Sequence, residues 1–212
     1  MTIFFIVPLF IYVIGDISLD RPLGDMLKIR VGSRNRWWVG KCAALSLFAF
    51  IYILILCLST ILISLIIYPW DTQWSDSDLI NNLINSNAML HYSPIQILLQ
   101  AMLLLVWGCV GLGLFNMLIS FVSGREIIGY IVLLCIIFIS IAAYTIGLKS
   151  PYINFSLNPH IDINLHSFGN LKSKWPSFFE SIIYWWVWIV FFIIFGLWVS
   201  GKRDLLTRMD QS

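Results

Sequence analysis

Few residues in this chain could do chemistry. His160, Asp162 and His166 lie close together, and two imidazoles with a carboxylate at such spacings can approach a metal-ligand set. They fall on a stretch chopped by Pro151, Pro159 and Pro176, so they read as ordinary loop polarity and no metal site is expected. Asn154-Phe155-Ser156 matches a glycosylation acceptor. Cys42, Cys57, Cys109 and Cys135 all sit inside apolar runs, none as CxxC and none beside a histidine. They read as small buried hydrophobes rather than as a disulfide framework. No G-x-x-x-x-G-K-[ST] sequence is present to cradle phosphates. Gly108, Gly111 and Gly113 stand in an apolar run, where they would allow helices to pack closely. No Ser–His pair, His/Glu cluster or paired carboxylate is expected within the apolar runs, so no catalytic residue is assigned and the chain is not read as an enzyme.

Composition decides what must position these residues. Of 212 residues, 59% are apolar and 11% charged, against about 25% charged in a soluble domain. A soluble enzyme, a disordered chain and a nucleic-acid binder are excluded, and a net charge of +2 is too small to drive binding to a polyanion. The chain reads as an all-α, polytopic membrane protein forming a single transmembrane domain. Bilayer hydrocarbon about 30 Å thick needs roughly 20 apolar residues in a helix. Residues 42–68, 95–122, 127–148 and 181–200 meet that with no Lys, Arg, Asp or Glu. Residues 2–14 are as apolar but shorter, and they make a fifth span if it begins at the N-terminus.

Basic residues set the orientation. Residues 15–41 hold Arg21, Lys28, Arg30, Arg34, Arg36 and Lys41, the turn 123–126 holds Arg125, and the tail 201–212 holds Lys202, Arg203 and Arg208. Placing these three segments in the cytoplasm puts connectors 69–94 and 149–180 outside, the latter with Lys149, Lys172 and Lys174. Met1 then starts outside, and a sixth span upstream would restore a cytoplasmic N-terminus.

The loop 15–41 carries most information. Arg21-Pro22 suits a helix start, with Asp20 and Asp25 at the positive end of its dipole. Leu23, Met26, Leu27 and Val31 then form one apolar stripe. Gly32-Ser33 interrupts, and Arg34-Asn35-Arg36-Trp37-Trp38 comes next as a basic-aromatic collar whose tryptophans would anchor at the membrane–water boundary. Such a loop can serve as a topology signal alone. A structured element exceeds that need, and docking of a cytoplasmic partner through Leu23, Asp25, Met26, Leu27, Arg30, Val31, Arg34 and Arg36 is the functional reading.

Within the spans, the polar residues Gln96, Gln100, Asn116, Ser59, Thr60 and Ser64 are not ionisable. Proton- or ion-coupled transport thus lacks its usual carboxylate, and energy would come from outside the chain. Gln100 and Asn116 would bond across helices. The last span is rich in aromatics. Tyr184, Trp185 and Trp186 suit an interface, whereas Trp185, Trp188 and Phe192 could also wall a path for an amphipathic substrate.

Pro8-Leu9-Phe10, Asp16, the run from Ile29 through Arg34-Asn35-Arg36-Trp37-Trp38 to Lys41, and the tail Gly201-Lys202-Arg203-Asp204-Leu205-Leu206 resemble the permease subunit of bacterial ABC transporters of the type-2 exporter class, of the kind encoded with bacteriocin, lantibiotic or secreted-peptide systems. The resemblance implies a six-span pattern of which this chain lacks the first, and a cytoplasmic coupling helix in the loop 15–41. It implies a separate ABC ATPase subunit carrying ATP and magnesium, and a second permease copy or paralogue. It further implies a peptide substrate and a place in the cell membrane of a bacterium. A membrane immunity factor or assembly scaffold that transports nothing is the rival reading.

Overall fold

The computed structural model describes residues 2–15, 33–67, 92–145, 156–168 and 175–202, and among them every regular element is helical. Helix α1 spans Thr2–Val13, α2 Arg34–Ile67, α3 Pro94–Ser123, α4 Glu126–Thr145, α5 the single turn Asn158–Ile161, and α6 Phe178–Lys202; a 3₁₀ turn at Ile163–Leu165 comes after α5. Four of these, α2, α3, α4 and α6, are long and apolar enough to cross a membrane. Helix α1, with 12 residues, measures about 18 Å. By length alone it falls short of a span, so four helices rather than five reach spanning length here.

Local chemistry sets the helix ends. Ser93 and Gln96 form a reciprocal capping box at the start of α3, with Pro94 in the first turn, and Gly124 (φ 72°) closes its far end in the left-handed conformation. Ser177 and Glu180 form the same box on α6: the Ser177 amide donates to the Glu180 carboxylate (2.6 Å) and the Glu180 amide to Ser177 Oγ (3.3 Å). The start of α2 corrects the expected boundary at residue 42. Ser33 Oγ accepts from the Arg36 amide (3.3 Å) and the Ser33 carbonyl from the Trp37 amide (3.2 Å). This cap opens the helix eight residues early, and Arg34, Arg36 and Lys41 stand on α2 rather than in a loop.

Helix α3 is the hub, packed against α1, α2, α4 and α6. From Gly108 to Leu114 every residue is buried, the pattern of a helix enclosed on all sides. Its glycines serve different neighbours. A Cβ on Gly108 would meet Ile161 at 3.0 Å, one on Gly111 the Trp185 ring at 2.6 Å, and one on Gly113 Leu45 at 3.1 Å and Phe10 at 3.3 Å. The packing role expected of these glycines is what the bundle displays. Tyr52 of α2 donates its hydroxyl to the Ile6 carbonyl of α1 (3.1 Å), which fixes α1 beside the hub.

The helices alternate in direction, so the start of α2, the end of α3, the start of α4 and the end of α6 share one end of the bundle. All five Lys and Arg among the described residues, Arg34, Arg36, Lys41, Arg125 and Lys202, lie at that end. Gly111→Ala, which must push back the Trp185 ring, is expected to destabilise the bundle by about 1–3 kcal/mol. Thermal unfolding in detergent checks this against Gly40→Ala, where nothing lies within 4 Å and no loss is expected.

Candidate functional site

The basic end closes around Trp38. Its indole lies directly over Gly196, its Nε1–H donates to the Ile193 carbonyl (3.2 Å), and its ring contacts Phe121 with centroids 5.7 Å apart. Trp37 also contacts Phe121 (5.8 Å), with the Lys41 ammonium 4.3 Å above its ring. Both tryptophans, expected as boundary anchors, are buried inside the bundle, where they join α2, α3 and α6. Of the docking residues, Arg34 and Arg36 lie in the first turn of α2. Leu23, Asp25, Met26, Leu27, Arg30 and Val31 lie outside the described residues.

Two of the three aromatic wall residues meet: the Trp188 ring stacks on Phe192 with centroids 5.5 Å apart. Trp185 is buried on Gly111 and donates its Nε1–H to the His160 carbonyl (2.9 Å), so it belongs to the packing of the bundle rather than to an exposed wall. Phe192 is buried against Phe115 (5.6 Å). Trp188 faces outward and heads a row with Phe191, Phe195 and Trp198, where the Lys202 ammonium sits 4.0 Å above the Trp198 ring.

At the opposite end the structure assembles a polar cluster that the spacing of its residues along the chain does not announce. Ser181, in the first turn of α6, is fully buried, with His160 Nδ1 3.0 Å and His166 Nε2 2.9 Å from its hydroxyl. His166 Nδ1 lies 3.0 Å from the Asp162 carbonyl, which can only accept, so Nδ1 carries the proton. In the neutral ring Nε2 is then an acceptor. Ser181 must donate to it, and His160 Nδ1–H must donate to Ser181. Burial, the largest influence on it, holds the His166 pKa below its usual 6.5, in keeping with a neutral ring.

The connector carrying both histidines is anchored on every side. Ser140 of α4 accepts from the Leu157 and Asn158 amides (2.9 and 3.3 Å), capping α5 from a neighbouring helix. The His160 ring stacks on Tyr184 at 4.0 Å, and Ile161 fills the space left by Gly108. Phe168 takes a left-handed φ of 44° with its side chain buried beside Ile97 and Tyr92. Such a conformation costs about 1–3 kcal/mol and persists where surrounding contacts over-determine it.

Chemically, a serine hydroxyl on an imidazole whose other nitrogen is held by an acceptor has the hydrogen-bond order of an activated nucleophile. Here the hydroxyl is sealed from solvent and already accepts from a second imidazole, so the arrangement acts as a polar tie. Among the described residues no group of three His, Cys, Asp or Glu could hold a metal ion, and the Asp162 carboxylate instead accepts from the Asn164 amide (3.1 Å).

The interhelical hydrogen bond expected of Asn116 does not form through Oδ1. That atom and Ser120 Oγ are buried without a hydrogen-bond partner, pressed with the Asn116 carbonyl against the Cα of Gly129 on α4. Glycine at position 129 is what permits so close an approach of α3 and α4, since a Cβ there would collide with these oxygens. No family model, no curated protein and no solved structure matches the chain.

Ser181→Ala removes the hydroxyl to which both buried imidazoles bond. It is expected to weaken docking of residues 156–168 by about 1–3 kcal/mol, read as faster hydrogen exchange there with that of α3 unchanged.

Proposed function

We propose that the chain is the membrane-spanning subunit of an ATP-driven exporter in a bacterial cell membrane, working with a separate ABC ATPase that binds ATP and magnesium. The observation that carries this reading is the charge distribution. Every described Lys and Arg gathers at one end of a bundle whose four long helices carry no ionisable carboxylate between their end turns. The basic end suits a cytoplasmic face. Apolar interiors leave no intramembrane proton or ion relay, which favours energy delivered from outside by a docked subunit.

The resemblance of the basic-aromatic run 29–41 to exporter permeases gives this subunit its class. The loop ahead of α2, with Met26 and Leu27 on its apolar stripe, is the docking element. Residues 2–14 serve as a further span on the family pattern. The centre of the bundle is filled by Trp38, Trp185 and the α3 hub, so the substrate path lies between two permease subunits rather than through one. The outward row Trp188, Phe191, Phe195 and Trp198 offers such a path an apolar and aromatic wall suited to a hydrophobic or amphipathic peptide.

The chain purified in mild detergent from its native membrane is expected to bring with it a vanadate-sensitive ATP hydrolase. Met26→Asp with Leu27→Asp should reduce the co-purified hydrolysis at least tenfold while membrane insertion is kept. Undiminished hydrolysis with the double variant overturns the docking role, and its absence from the wild type favours a scaffold or immunity factor.

A further inference from the structure

We propose that the His160–Ser181–His166 chain is a proton-operated latch, which holds the connector 156–168 against α3, α4 and α6 at neutral pH and releases it in mild acid. This goes beyond the exporter reading and does not depend on it. Only one proton arrangement satisfies the cluster while both rings are neutral: His160 Nδ1–H to Ser181, Ser181 O–H to His166 Nε2, and His166 Nδ1–H to the Asp162 carbonyl. His160 Nε2 is the other basic nitrogen of the cluster, and a proton there leaves the three bonds in place, so the latch turns on a proton taken up at His166 Nε2. That turns the acceptor into a donor pointing at the serine proton, so two N–H groups and one O–H then face a single oxygen. The bond from Ser181 to His166 is lost, and a cation is left where the ring is 1% exposed.

The surroundings offer that cation little help. Among the described residues, the titratable groups near it are His160 and Asp162 on the connector, Tyr184 and Glu180 on α6, and Tyr92 ahead of α3. Helices α3 and α4 bring no Asp, Glu, Lys, Arg or His to this end. The Asp162 carboxylate is turned to the Asn164 amide, and Glu180 is exposed and engaged with the Ser177 amide. Two further features make the cluster a latch rather than one tie among many. Trp185 donates to the His160 carbonyl, and Phe168, with a left-handed φ of 44°, is seated against Ile97 and Tyr92 at the end of the same connector.

Linkage gives the sign. Burial depresses the His166 pKa in the docked state, so the released state binds more protons. Docking is therefore strongest above about pH 6.5, the usual histidine value, and weakens as pH falls through it.

Hydrogen exchange of the full chain in phosphatidylcholine nanodiscs, at pH 7.5, 6.5 and 5.5 and corrected for intrinsic exchange chemistry, tests this. Protection of residues 156–168 is expected to fall by about tenfold between pH 6.5 and 5.5, with the α3 hub unaffected. In His166→Gln an amide oxygen can accept the Ser181 proton without titrating, and the acid step should vanish. Imidazole ¹⁵N spectra of the wild-type chain give a second measurement that needs no variant: His166 should be the neutral Nδ1–H tautomer at pH 7.5 and become doubly protonated over the range in which protection is lost. Connector protection that does not change with pH, an acid step that survives in His166→Gln, or a doubly protonated His166 at pH 7.5 would each overturn the latch.

Discussion

Close approach at glycine is the constraint on which this bundle depends. Helices surrounded by hydrocarbon gain nothing by hiding apolar side chains from water, so cohesion must come from packing and from hydrogen bonds. Helix α3 meets that requirement by presenting glycines in several directions at once, each filled by a large group from a neighbour: Ile161 at Gly108, Trp185 at Gly111, Leu45 and Phe10 at Gly113. Gly196 on α6 receives Trp38 of α2, and Gly129 on α4 lets the polar edge of α3 come to its backbone. In each pairing a missing side chain on one helix fixes the position of a bulky one on another, so the bundle has a single register.

The hydrogen bonds that tie these contacts together end mainly on backbone carbonyls. Trp38 reaches Ile193, Tyr52 reaches Ile6 and Trp185 reaches His160. These three aromatics thereby keep their polar atoms satisfied. The two ends close by different means. The basic end is sealed by indoles and Phe121, whereas the far end is sealed by a serine shared between two imidazoles, with Ser140 capping a one-turn helix from outside. The first arrangement is indifferent to protons and the second is not.

How much of this is legible in the sequence depends on the range of the interaction. The long helices are readable because uninterrupted apolar runs are a local property, and the glycines of α3 can be assigned to packing because they lie inside such a run. Apolar runs alone put two starts at residues 95 and 181, against Pro94 and Phe178 in the structure, because the capping pairs Ser93 with Gln96 and Ser177 with Glu180 lie outside those runs or at their edge. The start of α2 is hidden because Arg34-Asn35-Arg36 looks like a loop by composition, while Ser33 can cap a helix with charged residues in its first turn. Trp37, Trp38 and Trp185 cannot be oriented from sequence, since a tryptophan near a span end can face lipid or a neighbouring glycine. The serine cluster is out of reach for a different reason. Ser181 is separated from His160 and His166 by 21 and 15 positions, and nothing local to either histidine points at it.

The length of α2 has a mechanical consequence. Its 34 residues extend about 51 Å, and beyond Ile53 none of them is fully buried. If the first two turns, with their arginines and Lys41, occupy the headgroup layer, the apolar remainder still exceeds a hydrocarbon slab of about 30 Å by roughly a third. Lifting Leu62 to Ile67 into water would expose a row of isoleucines and leucines. The helix is better served by leaning far from the bilayer normal, toward the steep limit of about 40°, or by gathering thicker lipid around itself. Either response gives the protein a stake in membrane thickness, a variable that no side-chain contact within the chain records.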